Sequence, residues 1–295
     1  MKTRHVMVCS GGGVKGYSQA IVLRTQEALF GPLHEYYDLI VGTSVGSING
    51  AAIATGKITA KYLVNQYPSW MKRVFHKRSI LPIPPIYDRR NFISLWISEF
   101  GWMSLGECKT KMMITSINRC DDRNHYFKSW TNDGLSPLAS DLCKSFAAPF
   151  YFGQLVDETN KCVWTDGGCG TSNLSLEEAL MESLLLGWID EEIVFDVYGT
   201  GFVDNSVPFK TCKKQRTIKQ LFDFIKPGDG GLARAQSLQD KISRMKKLAE
   251  TYPNIHFKYW DIQIPKKYDG LDKVKYMDRY YDYGIEMAKK PLIEI

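Results

Sequence analysis

The sequence predicts an α/β fold in which a mostly parallel sheet is covered by helices on both faces. Short apolar runs of strand character alternate with helical patterns along the chain, the signature of βαβ units. Glycine crowds two of the strand-to-helix junctions, residues 10–16 and 42–46. The 295 residues carry 44% hydrophobic and 24% charged side chains, an ordinary balance for a chain with one large core or two small ones.

Residues 5–9 read as a short buried strand, followed by the loop Ser10-Gly11-Gly12-Gly13-Val14-Lys15-Gly16 and a helix to about residue 29. Leu39-Ile40-Val41 reads as the second strand, ending at Ser44, with a small-residue helix over about 47–54. A helix over 59–75 comes next. Residues 69–106 are unusual: Trp70, Trp96 and Trp102 stand among basic side chains, around the proline-rich run Leu81-Pro82-Ile83-Pro84-Pro85. Two readings are open, an insertion or lid facing a membrane interface, or a solvated face with aromatic anchors in the core. Strands are expected at 111–117 and 125–130, joined by a charged turn, then a helix over 137–146. A strand over 161–165 ends in Asp166-Gly167-Gly168, with a helix over 174–186 after it. The rest is a strand over 192–201, helices over 217–225, 233–252 and 271–289, and a strand over 256–264.

The chemistry concentrates at three junctions. Gly42-Thr43-Ser44-Val45-Gly46 is a G-x-S-x-G elbow, a sharp strand-to-helix turn that lifts a serine hydroxyl to the top of a sheet. Gly42 and Gly46 leave room for that backbone. The loop at 10–16 is an anion site by construction, because free N–H groups and a helix N-terminus face the ligand. Gly11, Gly13 and Gly16 satisfy G-x-G-x-x-G, yet a dinucleotide needs an acid at the end of the second strand, and Asp38 stands at its start. Tyr17 follows Gly16 where a P-loop needs Lys-Ser/Thr. The remaining reading is an oxyanion hole, with backbone donors beside the nucleophile as acyl transfer needs. Asp166 ends an apolar strand and precedes a helix, so its carboxylate is placed to meet Ser44; Asp-Gly is also a common hairpin turn.

Composition narrows the rest. The net charge of +6 allows a basic face for anionic lipid or phosphate without requiring one. The basic C-terminal third (Lys241, Arg244, Lys246, Lys247, Lys266, Lys267, Lys273, Lys275) reads either as a solvated helical face or as a seat for an anionic activator. No window of eighteen unbroken apolar residues occurs. The first strand begins almost at once, so no signal peptide is expected, and a cytoplasmic protein peripheral at membranes is. Seven scattered cysteines without a C-x-x-C pair suggest reduced thiols, and five histidines apart from them argue against zinc.

Taken together, Gly11 to Gly16, Gly42 to Gly46 and Asp166-Gly167-Gly168 resemble, in that order, the patatin-like phospholipase family. Ser145-Phe146-Ala147-Ala148-Pro149-Phe150, Asn173 and Val197-Tyr198-Gly199-Thr200-Gly201 agree more loosely. Leu174-Ser175 follows Asn173 where the family commonly has proline. The likeness covers roughly residues 4–202. It implies a three-layer α/β/α patatin-like fold, taken here as one domain over 1–295 with a lid or insertion at 69–106. It implies a lipid acyl hydrolase with a Ser44–Asp166 dyad, an oxyanion hole at Gly11, Gly12 and Gly13, and support from Lys15, Gly16, Gly42, Gly46, Gly167 and Gly168. It implies no metal or cofactor, no nucleic-acid polymer, a phospholipid or other fatty-acyl ester as substrate, and a small-molecule or protein activator in some relatives. A Ser–Asp–His order finds only His256 after Asp166, inside a strand pattern and not in a loop.

Overall fold

Alternation along two central strands divides the core in two. On β1 (Thr3–Cys9) and β2 (Leu39–Thr43), Met7, Cys9 and Ile40 are buried on one face, and Val6, Val8, Leu39 and Val41 on the other. Successive side chains of a strand point to opposite faces, so a strand covered on both faces reads as one continuous apolar run. The computed structural model describes residues 2–78, 84–170, 173–203 and 238–295. Within these, the first face is covered by α1 (Gly16–Phe30), α3 (Val45–Ala54), α4 (Ala60–Val74), α5 (Arg89–Phe100), α6 (Leu138–Ser145) and α9 (Met277–Met287). The other face carries α7 (Leu176–Leu185) and α8 (Leu238–Thr251); a single turn, α2 (Leu33–Tyr36), precedes β2. This is the three-layer α/β/α arrangement.

The sheet holds β3 (Lys111–Asn118), β4 (Arg123–Lys128), β5 (Leu155–Asp157), β6 (Cys162–Asp166), β7 (Glu192–Tyr198), β8 (Ile255–Trp260) and β9 (Ile293–Glu294) besides β1 and β2. Its order is β5-β6-β3-β2-β1-β7-β8-β9, with β4 also on β3. The run β3-β2-β1-β7-β8 is parallel throughout, and β4, β5, β6 and β9 add antiparallel pairs at the margins.

Several boundaries differ from the sequence reading. The helix after the elbow starts at Val45, because Ser44 itself is its N-terminal flanking residue. The last helix starts at Met277, not 271, because the Leu271 carbonyl is taken by the Val14 N–H at 2.8 Å and Val274–Tyr276 form a separate 3-10 turn. β7 stops at Tyr198, and Gly199 beyond it packs against the Asp261 carboxylate, where a Cβ would clash. The helix expected over 217–225, the start of that over 233–252 and residues 81–83 lie outside the described residues.

The tryptophan-rich stretch splits in two. Trp70 and Trp96 are core residues that meet edge-on at 5.4 Å, and Trp102 is 82% exposed. Both buried tryptophans follow from helical spacing: Leu63, Tyr67, Trp70, Met71 and Val74 form one face of α4, and Phe92, Leu95 and Trp96 one face of α5. Trp96 is therefore withdrawn from the membrane-interface reading, which keeps only Trp102 of the three. Trp96→Ala is expected to cost about 3–5 kcal/mol of unfolding free energy through the cavity it leaves. Trp102→Ala should stay within about 0.5 kcal/mol. Urea unfolding of the two variants checks both.

Candidate active site

Two strands run head-on into each other beside β3. Thr115 of β3 pairs with Thr43 on one side and Tyr126 on the other; its neighbour Ser116 pairs with His125 and Asp166. β4 thus holds one side of β3, and β2 and β6 share the other in a single row. β2 is parallel to β3 and stops at Thr43; β6 is antiparallel and stops at Asp166. Their C-terminal ends face each other, and the Ser44 hydroxyl donates to Asp166 Oδ2 at 2.7 Å.

Ser44 is held in a conformation that side-chain-bearing residues rarely adopt, φ 53° and ψ −124°. Such backbone costs on the order of 1–3 kcal/mol and persists only where its surroundings impose it. Here two hydroxyls do so. Ser145 Oγ accepts from the Ser44 N–H at 2.9 Å, and Ser47 Oγ donates to the Ser44 carbonyl at 2.6 Å. A Cβ at Gly42 would collide with Ser47 and one at Gly46 with the Cys9 carbonyl, so both glycines let α3 start against the sheet. The end of α6 ties in the other partner as well: the Ala147 carbonyl accepts from the Asp166 N–H at 3.0 Å and from Thr165 Oγ1 at 3.1 Å. Three consecutive residues, Ser145 to Ala147, therefore touch both strand ends. The small-residue run at 145–149 was visible in the sequence, and the role of the Ser145 hydroxyl was not.

Asp166 is buried, and Oδ1 accepts from the Gly168 N–H at 2.7 Å. Burial pushes its carboxyl up to about 6, against the lowering effect of the hydrogen bonds from Ser44 and Gly168. Gly167 lies against Thr115, where a Cβ would clash.

The glycine loop splits by its hydrogen bonding. The Gly11 N–H donates to the Asn173 carbonyl at 3.1 Å, and Thr200 Oγ1 donates to the Gly11 carbonyl at 3.2 Å. Gly11 is thereby a fastening to the neighbouring loops, which takes its N–H out of the predicted set of oxyanion donors. The N–H groups of Gly12 and Gly13 donate to no group among the described residues. Gly13 has φ 58° and lies so close to Leu271 that a Cβ would strike its backbone. Gly16 opens α1 against Val45 and Tyr67. Lys15, which the resemblance put in support of the site, is buried and pairs with Asp269 at 2.7 Å.

Gly13, Ser44, Phe75, Phe146, Asp166 and Leu271 are among the residues lining a cavity of about 10 Å³ over the serine. That is room for roughly one water molecule. His256 pairs with Glu192 at 3.2 Å near the N-terminal end of β7, the opposite end of the sheet from Ser44. Among the described residues no group of three His, Cys, Asp or Glu side chains is placed to hold a metal, and no helix is long and apolar enough to cross a membrane.

The family model described as patatin-like phospholipase matches residues 7–180, which include the glycine loop, Ser44 and Asp166. A cGAMP-activated phospholipase of Pseudomonas aeruginosa is 28% identical over 179 residues, 56% of this chain and 53% of that protein. Patatin group M-3 of Solanum tuberosum is 29% identical over 169 residues, 50% of this chain and 42% of that protein. The crystal structure of VipD from Legionella pneumophila superposes with a TM-score of 0.45 at 13% identity, over 98% of this chain and 66% of that one. The chain spans about half the length of the curated relatives it matches. Because the family match takes in more than half of the 295 residues, with both strand ends and the glycine loop inside it, this chain belongs to the patatin-like phospholipase family.

Proposed function

We propose that this chain is a serine lipid acyl hydrolase that cleaves fatty-acyl esters of phospholipids, a phospholipase of the A type. The observation that carries the reading is the 2.7 Å hydrogen bond from Ser44 to a buried Asp166. A serine hydroxyl is a poor nucleophile until a base takes its proton. A carboxyl raised to about 6 is ionised at neutral pH and is a better base than an ordinary carboxylate.

In this mechanism the Ser44 proton passes to Asp166 as Oγ bonds to the ester carbonyl carbon. The carbonyl oxygen becomes an oxyanion facing the Gly12 and Gly13 N–H groups. Val45, first residue of α3, adds its N–H, which has no carbonyl one turn back within the helix to bond. Losing one such donor typically costs about 3 kcal/mol of transition-state stabilisation. The tetrahedral adduct collapses, the C–O bond to the lysolipid breaks, and Asp166 returns its proton to the leaving alkoxide. Water, deprotonated by Asp166, then attacks the acyl-serine. The adduct collapses to release fatty acid, and the proton goes back to Ser44.

The narrowness of the cavity favours a second reading, in which the same site is regulated. Proteins named cGAMP-activated and cUMP-AMP-activated phospholipases are among the relatives. An enzyme whose cavity holds about one water must open before an acyl chain enters. The test is mixed phospholipid vesicles incubated with the protein, with and without cyclic dinucleotides, followed by mass spectrometry. Free fatty acid and lysolipid in equal amounts are expected. Their absence under every condition would remove the hydrolase reading; release only with a cyclic dinucleotide would select the regulated form.

A further inference from the structure

Residues 265–276 run past the cavity, which Leu271 lines, as a strap with two unlike faces. Three bonds hold its inner face down. The Leu271 carbonyl accepts from the Val14 N–H at 2.8 Å, Asp269 pairs with Lys15 at 2.7 Å, and Asp272 Oδ2 accepts from the Tyr87 hydroxyl at 2.6 Å. Both acids of the strap are thus turned inward, and Leu271 itself lines the cavity beside Ser44 and Asp166. The outer face keeps the cations. Lys266, Lys267 and Lys275 are exposed and Lys273 is half-buried, while Lys267 and Lys275 stand over the rings of Tyr268 and Tyr276 at 4.7 and 4.9 Å. Lysine with tyrosine is the composition of a surface that meets a membrane interface.

We propose that residues 265–276 are a docking strap for an anionic lipid surface, and that docking lifts Leu271 off Gly13 and opens the cavity. A surface shifts an equilibrium only by binding one state better than the other. The difference here is Leu271: closed, it is packed against the glycine loop; open, it enters the interface alongside the two tyrosines. The lysines supply the attraction, at roughly fivefold in partitioning for each one near an anionic leaflet. The same strap then places Ser44 under the bilayer from which the ester comes. The docking half stands on the strap alone, and the opening half rests on the hydrolase reading.

The experiment has two arms. In the first, the full chain carrying Ser44→Ala, which leaves lipid intact, is sedimented with phosphatidylcholine vesicles with and without phosphatidylglycerol. Binding to the anionic vesicles alone is expected, weakened by high salt. Adding Lys266→Gln, Lys267→Gln and Lys275→Gln should lower it at least tenfold, within a limit of about 100-fold if the three act independently. Equal binding of the triple variant, or binding to neither vesicle, overturns the proposal. In the second arm the chain with native Ser44 hydrolyses a soluble short-chain ester. Anionic vesicles should raise its rate severalfold, and the triple variant should lose that increase. A rate indifferent to vesicles overturns the opening step. So does a rise with a soluble cyclic dinucleotide alone that the triple variant loses, which would make the strap a nucleotide seat. No ester hydrolysis under any condition, with sedimentation as expected, would fault the hydrolase reading and leave the docking surface standing.

Discussion

Ser44→Ala is expected to lower ester hydrolysis by at least about 10⁴-fold, the scale seen when a serine nucleophile is removed and only oxyanion donors and binding remain. The fold should survive, because the hydroxyl points into the cavity and makes one bond, to Asp166. The glycine variant separates chemistry from stability. At φ 53° and ψ −124° Ser44 sits in strained backbone that glycine adopts without clash. Ser44→Gly should therefore be as inactive as Ser44→Ala and no less stable than the parent, since relief of about 1–3 kcal/mol of strain offsets glycine's extra unfolded-state entropy. Steady-state rates and thermal melts on the two variants read both quantities. Rates within tenfold of the parent in either would remove Ser44 from the reaction.

Asp166→Asn should be nearly as inactive and should gain stability. The amide keeps an acceptor for the Gly168 N–H and fills the same space, but it cannot take a proton from Ser44. The sign of the stability effect follows from the direction of the shift. Burial raises the Asp166 carboxyl from 3.8 to about 6 in the fold. Between those values the folded chain binds more protons than the unfolded one, so this carboxyl makes stability fall as pH rises through that window. Above about pH 6 the full cost applies, on the order of 3 kcal/mol for a shift of roughly two units. Asp166→Asn removes it, so the variant should melt higher than the parent at pH 8 and lose that advantage near pH 4. Activity of the parent should have the opposite slope. It should rise through about pH 6 as the base ionises and level off above, instead of near pH 4 as an ordinary carboxylate would. A variant that retains the parent's rate, or a parent profile flat from pH 5 to 8, would rule out Asp166 as the base.

The sequence exposed those parts of the site that are written locally. A strand running into a glycine-rich turn and then a helix needs only neighbouring residues, so Ser44, Asp166 and the loop at 10–16 were legible. Contacts across long separations were not. Lys15 was readable as part of the loop motif, but its partner Asp269 comes from a strap late in the chain. Ser145 looked like one more small residue at a helix end, and its hydroxyl supports the Ser44 backbone. Residues 271–276 carry a helical pattern, yet a bond from Val14 to the Leu271 carbonyl holds them off the helix. β5 and β9, with three and two residues, are too short for alternation to register. Trp96 shows the limit of composition: aromatic residues among basic ones suit a membrane edge and a core helix equally, and only packing decides.

The head-on meeting of β2 and β6 makes the reactive distance a property of alignment within the sheet. Both ends are measured against the same ruler, Thr115 and Ser116 of β3. Sliding β6 by one residue would carry the carboxylate about 3.3 Å along that ruler and turn it to the opposite face. No rearrangement of side chains repairs such a slip. Lengthening the turn between β5 and β6 leaves the gauge untouched, whereas one residue inserted between Trp164 and Asp166 resets it. Under the proposed mechanism, hydrolysis rate would serve as a readout of strand register, and an insertion scan along β6 would map the tolerance of the alignment one residue at a time.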